Sequence, residues 1–516
     1  MIPSLRNTRR MLAIAMTLAR HDALFIFDAL PFSPLAHGFG KLFRRKHKAL
    51  SKGERLANAL EALGPTFIKL GQALSTRSDL IGEELADALS RLRDRLPPFS
   101  TEVAKATIEE AFGAPVATLF REFADKPVAA ASIAQVHEAV MHDGRHVAVK
   151  ILRPHIEVAF AEDLTLFFWI ARTIETRLPA YRRFKPVEVV ETFHQSVFFE
   201  LDLRFEAAAA SEMDKNIKSH EPGLRVPFVD WNLTAQRVLT IGWVEGIPFS
   251  DIEAIRASGF DTKEILRKAA SSLFSQVFKD GFFHADLHPG NLFLAPDGDL
   301  VAVDFGIMGR LSLESRIYIA EILRGFLTGD YRRVAQVHFD AGYVPAHKSI
   351  EAFTQACMAV ARPVTDKPLN EISIAKLLGQ MFSIAAEFEM EVQPQLLLMQ
   401  KTLMVAEGVG RMLDPGLNMW QLATPLIQQW ADEHFGPKAK LLDAAKTSHD
   451  YIRRLPLLME RADRALATLA DPAGLRIHPL SLELLAESRR RQQASWLTLG
   501  WAALAAFVLV AVLYLN

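Results

Sequence analysis

The chain has 516 residues, 50% of them hydrophobic and 23% charged, a balance that supports large buried cores and excludes wholesale disorder. Lys and Arg number 59 against 60 Asp and Glu, giving a formal charge of −1, which argues against a generic nucleic-acid binder. Cys357 is the only cysteine, so an intrachain disulfide and a thiolate metal cluster are both excluded.

Residues 11–19 form a short apolar run after Arg6, Arg9 and Arg10. Arg20, His21 and Asp22 follow without a small-residue cleavage site, so the run reads as a cytoplasmic helix rather than a signal peptide. Lys41, Arg44, Arg45, Lys46 and Lys48 make a basic cluster, equally consistent with anionic lipid and with a solvated face. The first 125 residues read as helices. One opens at Gly64-Pro65, proline being suited to the first helical position. Phe67, Leu70 and Leu74 share one of its faces, with Lys69, Gln72 and Thr76 nearly opposite. On spacing alone the Lys/Gln face is solvated. Gly71 in mid-helix costs about 1 kcal/mol relative to alanine, which implies a close neighbour.

From Val128 the pattern changes to strands. Residues 128–140 run forward, turn at Asp143-Gly144, and return as 146–152, ending in the Val-Ala-Val-Lys form of a phosphate-contacting lysine, Lys150. Such a lysine needs a carboxylate partner, and residues 200–206 offer Glu200, Asp202 and Glu206. As helical i, i+4 neighbours Asp202 and Glu206 repel, which a lysine or a metal offsets; Glu206 is the expected partner of Lys150. Residues 238–244 read as a buried strand, placed where a kinase hinge would bond adenine.

Residues 284–306 carry the chemistry: His-Ala-Asp-Leu-His-Pro-Gly-Asn, a strand–turn–strand, then Asp-Phe-Gly. Asp286 can take or orient the proton of a nucleophile, while Asn291 and Asp304 can hold magnesium on nucleotide phosphates. The hairpin folds Asn291 and Asp304 back towards each other. Two absences count against protein phosphorylation. Residues 128–135 hold no glycine where kinases place a Gly-rich cover, and no Ala-Pro-Glu follows Gly306, where helices resume near Leu313 and continue to about 480. Residues 395–413, apolar with several Met, read as core packing.

Residues 496–515 carry no charged side chain and are long enough to span a bilayer as a helix. Arg489, Arg490 and Arg491 before them place the globular bulk in the cytoplasm, and Trp496, Trp501 and Tyr514 suit the interfaces. Ala502 and Ala506 admit helix–helix packing and with it a homodimer.

Together these residues resemble the UbiB family of atypical kinase-like proteins associated with ubiquinone biosynthesis. The resemblance spans about residues 20–420 and rests on Lys69-Leu70-Gly71-Gln72, the run Ala129, Ala130, Ala131, Ser132, Ile133, Ala134, Gln135, then Lys150, Glu200-Leu201-Asp202, and the motifs at 284–291 and 304–306. It implies an α+β, two-lobed kinase-like fold. A helical extension (1–125) precedes the N-lobe (126–246), a helical C-lobe and extension (247–480) and a transmembrane anchor (496–515). It further implies ATP and magnesium as ligands, with residues 129–136 and Lys150 binding the nucleotide and Asp286, Lys150 and Glu206 catalytic. Lys69, Gly71 and Gln72 would face the active site, overturning the solvated face, and Glu200 and Asp202 would hold the extension in place. Membrane lipid, quinone precursors and quinone-biosynthetic enzymes are the implied partners, at the cytoplasmic side of a bacterial inner membrane. Leu287 stands where many relatives have proline, and only one C-terminal hydrophobic segment is clear. A small-molecule kinase of the aminoglycoside or choline type, and a non-catalytic nucleotide-sensing scaffold, are the rival readings. No flavin, haem or iron-ligand constellation supports a hydroxylase.

Overall fold

The computed structural model describes residues 5–27, 50–75, 81–90, 96–177, 185–219, 223–365 and 393–414, with a few single positions between 92 and 430. The basic cluster at 41–48 and the apolar stretch at 496–515 lie outside the described residues. Among the described residues no helix is long and apolar enough to cross a membrane.

Four helices open the chain: α1 (Leu5–Arg20), α2 (Lys52–Leu63), α3 (Pro65–Ser75) and α4 (Glu83–Ser90). A capping box starts α2, with Ser51 and Glu54 each accepting the other's backbone N–H. Gly64, at φ +102°, ends it and lets Pro65 start α3. Leu56, Leu60, Phe67, Leu89 and Leu92 form the shared core, against which Leu70 and Leu74 pack. Gly71 faces that core: a Cβ there would lie 2.3 Å from Leu92 and 2.8 Å from Leu60, which explains a mid-helix glycine.

The N-lobe follows as α5 (Thr101–Phe112), α6 (Val116–Leu119), β1 (Glu122–Phe123), β2 (Ala129–Ala130), β3 (Ala134–Val140), β4 (His146–Leu152), α7 (Ile156–Arg177), α8 (Pro186–Glu200), α9 (Leu203–Ile217), β5 (Leu224–Arg225) and β6 (Val238–Gly242). The antiparallel sheet runs β1-β3-β4-β6, with β2 paired to β3; β5 belongs to the C-lobe sheet. Register sets Val136 and Leu239 on either side of Lys150. Ala139, Val147, Val149 and Ile151 bury the opposite face under Ala104 and Ile108 of α5. On the Lys150 side, Ala134, Leu152 and Leu239 pack with Phe160, Phe193, Val197, Leu203 and Ala207 of α7 to α9. The lobe therefore begins before the expected boundary at 125, because α5 and β1 are part of its packing.

The C-lobe contains β7 (Ile247–Pro248), α10 (Ile252–Ala257), α11 (Thr262–Phe274), a π-helical turn (Ser275–Asp280), β8 (Phe282–His284), β9 (Leu292–Leu294), β10 (Leu300–Ala302), β11 (Met308–Arg310), α12 (Leu313–Thr328), α13 (Tyr331–Asp340), α14 (Ile350–Thr365) and α15 (Pro394–Leu413). The expected hairpin is β9–β10, with β5 added parallel to β10 and β7 antiparallel to β9. Strand β11, pairing with β8, was not expected from a pattern that turns helical after Gly306. Its Gly309 lies so close to the Phe283 ring that a Cβ would meet it at 2.1 Å.

Candidate active site

His284 organises the turn that carries Asp286. The π-helical turn carries Gln276, whose Oε1 accepts the His284 backbone N–H at 3.0 Å. The His284 ring accepts the Asp286 N–H at Nδ1 (3.2 Å), so Nε2–H donates to the Val303 carbonyl at 3.2 Å. Burial lowers the His284 pKa and keeps that neutral tautomer. One ring thus ties the residue before Asp304 to the start of the Asp286 turn. The turn closes through His288 N–H to the Asp286 carbonyl at 2.8 Å and Asn291 N–H to the His288 carbonyl at 2.9 Å. The Asn291 amide nitrogen also donates to the Asp286 carbonyl at 3.2 Å, leaving its oxygen as the ligand atom for a cation. Val303 N–H bonds the Asn291 carbonyl at 2.9 Å, so the hairpin delivers Asn291 beside Asp304 as its spacing predicts. Asp304 adopts φ +63°, a left-handed conformation that costs a non-glycine residue free energy and recurs at functional sites.

Lys150 meets Glu206, its expected partner, and Asp304 as well. Its ammonium lies 2.8 and 2.9 Å from the Glu206 carboxylate oxygens and 3.0 Å from Asp304. Burial works against the Lys150 charge, but Asp304 and Glu206 outweigh it and hold the group above the ordinary lysine range. The Lys150 ammonium, with a smaller contribution from Lys69, holds half-exposed Asp304 below the usual carboxylate range. Glu206 is buried, and that burial pushes it up to about 7 against the pull of Lys150. Asp202 differs from the helical expectation: it stands outside α9 as its N-cap, with extended backbone, and accepts the Arg204 N–H at 3.1 Å. The Arg204 guanidinium bonds its two oxygens at 2.9 and 2.6 Å. Among the described residues, Asp202 therefore bonds to the helix that presents Glu206 rather than to the N-terminal extension.

Glu200 does reach the extension. Lys69 pairs with it at 2.7 Å, and both side chains are largely out of water, so the solvated face read from spacing is incorrect. Gly71 serves packing inside the extension, and Gln72 is half-buried.

The alanine-rich run splits in two. Ala129 and Ala130 form β2 opposite Val136 and Gln135, and Ala131 N–H bonds the Ala134 carbonyl at 2.7 Å, closing a tight hairpin without glycine. Ser132, Ile133, Ala134 and Gln135 are buried. Ile133 and Ala134 belong to the lobe core, and the Gln135 amide bonds Phe99 in both directions at 3.0 and 3.3 Å. Ser132, Ile133 and Gln135 are thus committed to packing, while Ala134 and Val136 lie on the Lys150 face of the sheet. Arg153, which no sequence motif signals, clamps the hairpin: it donates to the Ala131 carbonyl at 3.0 and 2.7 Å and to the Pro97 carbonyl at 3.0 Å.

Lys401 was also missed. It projects from α15, the helix read as core packing, and its ammonium lies 2.9 Å from Asp286 Oδ1. Thr402 beside it bonds the His284 carbonyl at 3.4 Å, while Met399 and Leu403 are buried, in line with the packing reading for the rest of the helix.

Among the described residues no group of three or more His, Cys, Asp or Glu could hold a metal by itself. The donor set of Asp304 and Asn291 fits magnesium, which dehydrates reluctantly and is held by one or two side chains plus phosphates. The Lys150 ammonium resting on Asp304 already occupies a position suited to a cation.

The ABC1 atypical kinase-like domain family matches residues 91–338, and the UbiB helical domain family matches 357–418. A Marinobacter nauticus protein named "Probable protein kinase UbiB" is 39% identical over 87% of this chain and 82% of its own. A Pseudomonas entomophila protein of the same name is 40% identical over 95% and 90%. A solved erythromycin complex of Rv3197 from Mycobacterium tuberculosis is 26% identical, covering 69% of this chain and 91% of its own at a TM-score of 0.48. At these sequence identities, sustained along most of both partners, the chain belongs to the UbiB family of atypical kinase-like proteins.

Proposed function

We propose that the chain is a membrane-associated atypical kinase or ATPase that binds ATP with magnesium and supports ubiquinone biosynthesis. The observation that carries this reading is Lys150 bridging Glu206 and Asp304 beside a turn that presents Asp286 and Asn291. Lys150 grips the α- and β-phosphates from a position set by Glu206. Asn291 and Asp304 hold magnesium, which when bound neutralises phosphate oxygens. Asp286 orients water or an acceptor hydroxyl. The Lys69–Glu200 pair keeps α3 against the N-lobe, narrowing access for a peptide and favouring hydrolysis coupled to conformational change. Residues 496–515 anchor the chain in the bacterial inner membrane with the kinase fold on the cytoplasmic side, next to membrane lipid, quinone precursors and quinone-biosynthetic enzymes, as a homodimer. No nucleic-acid partner belongs to this reading.

Replacing Asp304 with Asn tests it. Magnesium-dependent nucleotide binding and phosphate release by the purified full chain, measured with and without lipid and quinone precursors, should both be lost. Phosphate release unchanged by the substitution overturns the assignment.

A further inference from the structure

Lys401 touches the carboxylate to which the reading above gives the nucleophile. Asp286 can serve a nucleophile only within about 3 Å of the attacking oxygen, which itself approaches phosphorus to about 3–3.5 Å. An ammonium 2.9 Å from Asp286 Oδ1 is therefore within one side-chain swing of the phosphoryl group being transferred. Lys401 is partly exposed and sits on a flexible four-carbon stem, so it has room to make that swing. The other two lysines of the site are engaged, Lys150 with Glu206 and Asp304 and Lys69 with Glu200. His288 of the catalytic turn is engaged too, its Nδ1 accepting the Gly290 N–H at 3.0 Å. Phosphoryl transfer needs positive charge on the equatorial oxygens of the transferred group, beyond what grips the α- and β-phosphates.

Resting on the nucleotide-site reading above, we propose that Lys401 is a phosphoryl-contacting residue supplied by the helical segment after the kinase-like domain. It pairs with Asp286 in this structure and shifts to the γ-phosphate when ATP binds. Helix α15 holds it in register independently of that ion pair, because Met399, Thr402, Leu403, Glu407, Gly410 and Leu413 form its buried stripe. The cation's position therefore depends on the seating of α15.

The test measures affinities of the full-length protein for ADP and for a non-hydrolysable ATP analogue, both with magnesium, together with ATP turnover and thermal melting. Lys401→Met should weaken the analogue about tenfold, leave ADP within twofold, lower turnover a hundredfold or more, and leave melting unchanged. Lys401→Arg should restore part of the preference for the analogue. Asp286→Asn in the same background separates contact from shielding. If Lys401→Met no longer affects the analogue once Asp286 is neutral, Lys401 acts only through Asp286 and the proposal is overturned. Equal losses for ADP and the analogue overturn it as well. Failure of the underlying reading looks different: the wild-type protein then binds neither nucleotide, or Asp304→Asn changes nothing.

Discussion

Glu206→Gln should stabilise the empty protein at neutral pH while weakening its nucleotide site. Glu206 is buried beside Asp304, and its carboxyl moves from an ordinary 4.5 to about 7 despite two bonds to Lys150. A raised carboxyl pKa means the fold holds that proton more tightly than the unfolded chain does. The contribution to stability is therefore complete below pH 4.5 and is lost as pH rises through 7, at a cost of about 3 kcal/mol once both states are ionised. Glutamine imitates the protonated acid at every pH, and Lys150 keeps Asp304 as a charged partner at 3.0 Å. Chemical unfolding of the nucleotide-free protein at pH 5, 6, 7 and 8 reads the effect. The variant should match wild type near pH 5 and exceed it by about 1–3 kcal/mol at pH 8, with a flatter slope between. Its magnesium–nucleotide affinity should fall about tenfold or more, because Lys150 then leans on Asp304 alone. A variant weakened by the same 3 kcal/mol at every pH would refute the burial argument, since Glu206 would then be ionised and stabilising throughout.

Lys69→Met and Glu200→Gln each leave the other charge with little access to water, and each should cost about 2 kcal/mol and speed hydrogen exchange in α3. The double variant should cost clearly less than the sum of the two, as a double-mutant cycle measures. His338, buried and donating from Nδ1 to the Val334 carbonyl at 2.8 Å, is pushed by burial from 6.5 down to about 4. It stays neutral in the fold, so its contribution is complete above pH 6.5 and is lost as pH falls towards 4, up to about 3 kcal/mol. His338→Phe should flatten that acid slope in urea unfolding, and an unchanged slope would assign acid sensitivity elsewhere.

The residues legible in the sequence are those whose chemistry is fixed by short spacing or by a strand register. Asp286, Asn291 and Asp304 lie around one hairpin, and Lys150 lies on a strand whose pattern has one reading, so their meeting follows from local geometry. Asp202 shows where that reasoning stops: at helical spacing it crowds Glu206, yet by standing one residue outside the helix it becomes the cap that starts it. The Arg153 clamp carries no residue signature, because its bonds to the hairpin and to Pro97 go to backbone carbonyls. The three-residue strand β11 is too short to register a period of two.

Lys401 lay beyond reach for a different reason: 115 residues separate it from Asp286, and the helix between its apolar neighbours reads as core. The apolar spacing of α15 marks its buried stripe and carries no signal for the one lysine beside it. Lys401 stands at the edge of that stripe, partly exposed, and its ammonium is received by the Asp286 carboxylate. The candidate site thus has lysines from both directions along the chain, Lys69 paired with Glu200 from before the N-lobe and Lys401 paired with Asp286 from beyond the C-lobe strands. On the function proposed above, whatever shifts α3 or α15 moves these two ammonium groups relative to the carboxylates they act on.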